Sequence, residues 1–225
     1  LKDLYAVAGK PPTASSRVLD DAADRDCAAW ASLSQEGMVL LGHLHTHEFA
    51  CGGTTDQVGN PWSLERSAGG SSGGSGAALA SSQVPAATGT DTAGSLRIPS
   101  AECGTSTIKP TRGLISLRGI VPLAPTFDHP GPMTRAVRDC EPLLAALAGV
   151  ERPRNRRVLR RYAVSPRIAD LDPDVADGFE RALAALPGER VEPSPPAARL
   201  DVLSDFFELL LTEMLVFHRR FADRR

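Results

Sequence analysis

The sequence predicts an α/β fold, in which a mixed, mostly parallel β-sheet is flanked by helices. Segments with helical periodicity alternate along the chain with short apolar runs that are typical of buried strands. The 225 residues are 42% hydrophobic and carry a formal net charge of −2, which is sufficient for one substantial core. We therefore expect one domain over 1–225, with its central part in 1–150 and a linker, a strand and helices in 151–225.

Helices and strands of the first 150 residues are placed by periodicity and by glycine breakers. Helices are predicted where apolar residues recur at three- and four-residue spacing, at 17–36, directly after the run 69–76, and at 135–148. Strands are predicted where short apolar runs are bounded by turn residues, at 38–45, 84–88 and 115–123. Gly37 and Gly149 are expected to end the first and the last of these helices.

The region after residue 150 is predicted to begin with a polar connector at 153–157 and a strand at 158–164. Two amphipathic helices follow at 173–186 and 200–221. The apolar face expected for the second helix consists of Leu203, Phe206, Leu210, Met214 and Phe217.

Charge and hydropathy argue against two classes of partner. The arginine-rich stretch 152–161 is bounded by acidic segments, so we interpret it as a solvated linker and expect no nucleic-acid binding. No apolar stretch reaches the roughly 20 residues that span a bilayer, so we expect no membrane association. The four cysteines lack paired metal spacing and fit a reducing compartment. These observations predict a cytoplasmic protein.

Two segments rich in glycine and serine carry the chemistry, at 69–76 (GGSSGGSG) and 89–99 (GTDTAGSLRIP). Glycine allows main-chain N–H groups to approach a reacting carbonyl, as an oxyanion hole requires, and each segment supplies a candidate nucleophilic serine. Composition alone favours a flexible linker for 69–76, but the helix and strand predicted after it place the glycines at a turn. A phosphate-binding loop is disfavoured because the Gly-Lys-Ser/Thr ending is missing.

These segments, together with Lys2-Asp3, Cys103-Gly104 and 109–113 (KPTRG), resemble the amidase signature family. The resemblance is close over the first two thirds of the chain and weaker from Arg157 onward. It implies the family's α/β fold, with 1–150 as the catalytic core segment. It also implies hydrolysis of a small-molecule amide to an acid and ammonia or an amine, without a cofactor or a metal. Because family members are much longer, we expect this chain to be truncated at both ends.

The resemblance assigns three catalytic residues. Ser95 is the nucleophile, Ser71 follows a cis peptide bond from Gly70 and relays protons, and Lys2 is the base. A lysine acts as a base only when burial keeps it neutral, whereas an exposed lysine stays protonated. Since Lys2 is almost at the start of the chain, we expect it to be mobile and protonated.

The resemblance also implies an oxyanion hole that is built from consecutive backbone N–H groups, those of Thr92, Ala93, Gly94 and Ser95. The family usually has glycine in place of Ala93, so alanine requires a negative φ angle there. Asp91 and Arg97 flank the loop, and we interpret them as a charged pair that holds it.

Other residues receive weaker assignments. His43, His45 and His47 would share one face of a strand and offer metal ligands, but we favour a loop that lines the site. Cys103 is expected to be a buried, unreactive thiol. The substrate pocket is expected to be lined by His45, Phe49 and Phe127, with Asp128 and Met133 as further candidates.

Two alternative functions stay open. The first is a glutamine-dependent amidotransferase subunit, which would pass ammonia to the substrate of a partner. The second is a catalytically inactive fragment that acts as an interaction module. Uncovered apolar surface also predicts association, with a homodimer as one outcome.

Overall fold

The computed structural model describes residues 1–151, 158–164, 171–193 and 202–222. The chain divides into two compact units, of which the first comprises Leu1–Arg152 and Leu203–Arg225 and the second Pro153–Val202. The connector expected at 153–157 lies outside the described residues. The organisation as one domain over 1–225 stays a prediction.

Helices and strands alternate along the described residues. The helices are α1 (Ala28–Gln35), α2 (Gly73–Ala80), α3 (Arg97–Glu102), α4 (Val137–Ala148), α5 (Pro173–Ala184) and α6 (Val202–His218). The strands are β1 (Ala86–Asp91), β2 (Ser106–Thr107), β3 (His129–Thr134), β4 (Arg161–Tyr162) and β5 (Glu189–Arg190). Short 3₁₀ turns occupy Glu48–Ala50 and Arg219–Phe221.

The three-stranded sheet has the order β1-β3-β2, and both of its pairings are antiparallel. Gly89 pairs with Gly131 and Thr107 with Met133. Because β1 and β2 both run opposite to β3, they are parallel to each other, and α3 connects them. The connection through α3 therefore joins two parallel strands, but β3 lies between them. The expectation of mostly parallel pairing was wrong for this sheet, whereas β4 and β5 pair in parallel.

Three predicted elements form differently. The helix expected from residue 17 begins only at Ala28, because the segment before it is bonded to residues 8–10, with Ala23 N–H donating to Lys10 O at 3.0 Å. Instead of a full strand, residues 38–45 make one parallel bridge, between Leu44 and Lys2. Strand 115–123 is similarly reduced to turns and a bridge from Ile120 to Tyr5. Local hydrophobicity does not reveal these backbone partners.

Helices α4 and α6 match the helices predicted from the sequence more closely. Helix α4 ends at Gly149, whose φ of 64° is the left-handed cap that glycine favours. On α6, the inward side includes the predicted Leu210 and Met214, but Leu203 is 66% exposed. Exposed apolar residues recur at four-residue spacing along α6, at Leu203, Phe207, Leu211 and Leu215. No helix within the described ranges has both the length and the apolar character needed to cross a bilayer.

Two packed clusters position the site in the first unit. The larger cluster surrounds the start of the chain and includes Leu4, Tyr5 and Leu33. A smaller cluster, formed by Leu79, Ala87, Leu96 and Met133, joins α2, the sheet and the start of α3. The two glycine-rich segments therefore face each other across buried contacts that fix β1 and α2.

Candidate active site

The segment 69–76 is closely packed backbone. The Gly70-Ser71 peptide bond is cis, as the resemblance implies. A Cβ atom on Gly70 would lie 2.2 Å from Thr54 O, and one on Gly74 would lie 2.5 Å from His45 O. Only glycine permits such approaches, so residues 69–72 form a fixed turn and residues 73–76 form the start of α2, four residues earlier than expected. This agrees with the sequence argument against a flexible linker.

The Ser71 carbonyl is held by two neighbours. The backbone N–H of His47 donates to it at 3.0 Å, and the Thr55 hydroxyl donates to it at 3.3 Å. Thr55 Oγ1 also accepts from the N–H of Gly73 at 3.1 Å. The position of the Ser71 side chain is therefore set by the segment 47–55 as well as by α2.

The Lys2 side-chain nitrogen lies within hydrogen-bond distance of two hydroxyls in a fully buried setting. Lys2 Nζ is 2.7 Å from Ser71 Oγ and 2.8 Å from Thr90 Oγ1, and the Lys2 and Ser71 side chains are 0% exposed. The Lys2 backbone N–H donates to Thr88 Oγ1 at 3.1 Å. The expectation of a mobile Lys2 was wrong, because its bridge to Leu44 and these bonds to β1 hold it in the core.

Burial changes the protonation of this lysine. It lowers the pKa of Lys2 to about 7, and the negative charges of Asp128 and Asp91 offset part of the effect. Neutral Lys2 has a lone pair that can accept a proton, which an ammonium group lacks. Because Nζ can donate to Thr90 Oγ1, this lone pair can be directed at the Ser71 hydroxyl.

Sequence reasoning did not select Thr88 and Thr90. They alternate on β1, so both side chains project toward the same side of the strand, where Lys2 lies. Alternating threonines in a buried strand were a usable signal. Their contacts with Lys2, 86 and 88 residues away, were not visible in the sequence.

The Ser95 loop is held by a charged network, as the sequence analysis expected for Asp91 and Arg97. Asp91 accepts hydrogen bonds from Gly94 N at 2.9 Å and from Arg97 Nε and Nη2 at 2.9 and 3.0 Å. Burial alone raises the pKa of the Asp91 carboxyl, but the hydrogen bonds and charge of Arg97, with smaller contributions, bring the pKa below its usual value. The carboxylate therefore stays ionised and fixes the loop.

The candidate oxyanion residues occupy different settings within this loop. Ala93 is exposed, and its φ angle is not positive, so it meets the condition set for alanine. Gly94 has a φ of 138°, which favours glycine, and its N–H already donates to Asp91. Thr92 is fixed from the other side, since its hydroxyl donates to Asp128 Oδ1 at 2.5 Å. The oxyanion role of all three residues stays a prediction.

Ser95 lies at the edge of this arrangement and is 8% exposed. Within the part of the chain that the structure describes, no hydrogen bond joins its hydroxyl to Ser71. Bonds between catalytic groups commonly tighten only when substrate is bound.

Asp128 has a larger structural role than its expected place in a pocket lining. Besides Thr92, it accepts from the backbone N–H groups of Leu123 at 3.0 Å and Ala124 at 3.1 Å. It is 6% exposed. Asp128 thus connects the Ser95 loop to the turn before β3, and its charge also acts on Lys2.

The remaining candidates are engaged separately. The rings of His43, His45 and His47 contact three different groups, namely Tyr5 O, Ser15 Oγ and Thr54 O. No group of three or more metal-binding side chains is found among the described residues. Cys103 is fully buried, as predicted, and burial raises the pKa of its thiol to about 11, which disfavours the reactive thiolate.

Similarity to known proteins decides the family. The sequence profile of the family described as Amidase matches residues 1–167. The chain belongs to the amidase family. A glutamyl-tRNA(Gln) amidotransferase subunit from Roseiflexus castenholzii is 45% identical over 157 residues, which cover 67% of this chain and 32% of that protein. The corresponding amidotransferase subunit from Geotalea daltonii is 38% identical over 208 residues, covering 82% of this chain and 43% of that protein.

Solved structures confirm the amidase fold. A protein described as an amidase aligns with a TM-score of 0.86 and 33% identity, covering 100% of this chain and 54% of that one. For 6-aminohexanoate cyclic dimer hydrolase, the TM-score is 0.83 and the identity 32%, with coverages of 99% and 53%. This amidase-family chain spans about half the length of these solved proteins, and less than half of the two amidotransferase subunits.

Proposed function

We propose that this amidase-family chain hydrolyses a carboxylic amide to an acid and ammonia or an amine. The observation that supports the proposal most strongly is the 2.7 Å contact between Lys2 Nζ and Ser71 Oγ in a fully buried setting. It provides a base with a pKa of about 7, which is neutral above that pH, next to a hydroxyl that can relay protons.

In the first half-reaction, Lys2 Nζ accepts the proton of Ser71 while Ser71 Oγ accepts the proton of Ser95. Ser95 Oγ then forms a bond to the amide carbon, and the carbonyl electron pair moves to oxygen. Backbone N–H groups of the Ser95 loop stabilise this oxyanion. The C–N bond breaks as a proton passes from Lys2 through Ser71 to the leaving nitrogen, and an acyl-enzyme forms.

The second half-reaction repeats these steps with water. Water loses a proton to the Ser71 and Lys2 relay and attacks the acyl carbon. The tetrahedral intermediate then releases Ser95 Oγ, which regains a proton, and the acid departs. The net reaction converts one amide and one water into one acid and one ammonia or amine.

A glutamine-dependent amidotransferase subunit is the second candidate. It is favoured by the amidotransferase subunits that are 45% and 38% identical to this chain. In that case, the ammonia formed would pass to a partner's substrate. Ammonia release from L-glutamine that increases when partner subunits are added would favour this candidate over free amide hydrolysis.

We further infer a cytoplasmic location and association as a homodimer. The four cysteines are free, which fits a reducing compartment. The exposed apolar residues of α6, such as Phe207 at 54%, provide a surface that a second copy can cover. Gel filtration with light scattering tests the homodimer, since a monomer at all concentrations contradicts it.

Covalent labelling tests the proposed chemistry before the substrate is known. A fluorophosphonate probe is expected to label the purified chain, and peptide mapping is expected to place the label on Ser95. The Ser100→Ala variant, which removes a buried hydroxyl of α3, serves as a control that should label normally. A chain that melts cooperatively but is not labelled would instead support the inactive interaction module.

A further inference from the structure

A cleft of about 590 Å³ opens between the turn at 47–51 and the C-terminal end of α6 with the 3₁₀ turn that follows it. Its lining is mainly aromatic and sulfur-containing, with contributions from Phe49, Cys51, Met214, His218 and Phe221. The volume lies within the range of about 300–1,000 Å³ that is typical of small-molecule sites.

The aromatic rings of this cleft are arranged around Phe49. The ring centroid of Phe49 is 4.5 Å from that of His218, at an interplanar angle of 73°, and 5.9 Å from that of Phe221. Phe49 is buried, whereas Met214, His218 and Phe221 are only half-buried. The cleft therefore presents ring faces and edges that are open to a further aromatic ring.

One wall residue of the cleft contacts the backbone of the proposed relay serine. His47, which contributes to its wall, donates its backbone N–H to Ser71 O at 3.0 Å. A group in the cleft would thus lie beside the segment that fixes the Ser71 side chain.

Helix α6 also contacts the segment that holds the other serine loop. Phe206 packs on Phe127, with ring centroids 4.8 Å apart, and Glu213 accepts the N–H of Thr126 at 3.0 Å. Asp128, the residue after Phe127, accepts a hydrogen bond from the Thr92 hydroxyl. Helix α6 therefore contacts both the turn at 47–51, beside Ser71, and the segment 126–127, beside Asp128. The cleft lies at the C-terminal end of this helix.

We propose that this cleft binds the aryl group of an aryl-substituted amide substrate. The inference rests on the proposed amidase function and specifies its substrate class. An aryl group would contact Phe49 and Phe221 at the edge-to-face geometry that aromatic pairs prefer. Glu48 in the lining disfavours L-glutamine, because its carboxyl group would lie near the carboxylate of that substrate.

Phenylacetamide, acetamide and L-glutamine are suitable substrates for the kinetic test. We expect Phe221→Leu to raise KM for phenylacetamide about 10-fold and to leave acetamide hydrolysis within about two-fold, as loss of one apolar contact does. Phe207→Leu, an exposed position on the same helix, is the matched control and should change neither substrate. Equal effects of Phe221→Leu on both amides, or a preference for L-glutamine, would overturn the assignment of the cleft.

A binding measurement separates the cleft from the catalytic proposal. Saturation-transfer NMR with phenylacetamide on the Ser95→Ala chain should show contact at the phenyl protons, and adding Phe221→Leu should weaken it. If wild-type chain hydrolyses no amide but this binding is observed, the catalytic proposal fails and the cleft stands. If acetamide is hydrolysed but phenylacetamide does not bind, the cleft assignment fails and the catalytic proposal stands.

Discussion

The two serine loops differ in how they are held. Ser71 lies in fully buried backbone, where Gly70 and Gly74 are within contact distance of other chain segments and Lys2 is bonded to the hydroxyl. Ser95 lies in a loop that is fixed by the fully buried Asp91 and retains 8% exposure. Folding alone therefore brings the proposed base and relay into contact, whereas the proposed nucleophile lies closer to the surface of the core.

The largest expected effect is at the proposed nucleophile. Ser95→Ala removes the hydroxyl that we propose attacks the carbonyl, so kcat for amide hydrolysis should fall by at least about 1,000-fold. Steady-state ammonia release measures this loss, with Ser100→Ala as the control. Unchanged hydrolysis by Ser95→Ala would show that the nucleophile lies elsewhere.

Lys2→Met should be nearly as damaging, with a loss of activity of about 100-fold or more, because no other base contacts Ser71 among the described residues.

The pH dependence of the free energy of unfolding is a separate measure of the Lys2 charge. The pKa of Lys2 is about 7 when folded and near 10.5 when unfolded, so the unfolded chain binds more protons between these values, and stability rises with pH there. Thermal unfolding from pH 7 to 9 should show a smaller rise in Lys2→Met than in wild type, with the buried Leu1 amino group, whose pKa is lowered to about 6, contributing a rise that both chains keep.

The exposed Lys10 provides a matched control, since Lys10→Met removes a lysine without altering the buried site. It should retain the wild-type rise in stability and the wild-type activity. The same pH slope in Lys2→Met and wild type would contradict a Lys2 that is neutral in the folded chain.

An intermediate effect is expected at the connection between the two loops. Asp128→Asn weakens the hold on Thr92, so kcat should fall about 10-fold with little change in KM. Because the Asp128 charge raises the pKa of Lys2, the variant should also move the acid limb of the pH profile to lower pH. Thr92→Val loses the same hydrogen bond but keeps the charge, so it should lower kcat without moving the limb. Identical pH profiles for both variants would contradict an effect of the Asp128 charge on the pKa of Lys2.

The smallest effect is expected at Ala93. Its side chain is exposed, and its φ angle is not positive, so Ala93→Gly should change kcat/KM by less than about three-fold. Steady-state kinetics with one amide suffices. A gain of ten-fold or more would show that the alanine methyl obstructs the substrate.

The sequence predicted the features that depend on local chemistry. Gly149 ends α4 because its left-handed φ suits glycine, and Gly69 and Gly70 lie at a turn as predicted, although the helix begins already at Gly73. Features that depend on distant partners were missed. Residues 38–45 have strand character but make a single bridge, and β3 lies between the two strands that α3 connects.

The candidate site shows the same division between features set by local sequence and features set by distant partners. Resemblance selected Lys2, Ser71 and Ser95, and the structure brings the first two together. The error about Lys2 arose because its position near the chain start suggested mobility, whereas its environment is set by Leu44, Thr88 and Thr90. Burial of a lysine is a property of tertiary packing, so local pattern could not supply it.

The most direct test of a buried, neutral Lys2 acting through Ser71 on Ser95 is the pH dependence of labelling at Ser95. We expect the rate of fluorophosphonate labelling to rise with pH to a plateau, with a midpoint at about 7, as Lys2 loses its proton. Lys2→Met should label slowly and without this midpoint. A wild-type rate that is independent of pH across the range that brackets this midpoint, or a Lys2→Met profile that matches the wild type, would contradict the account.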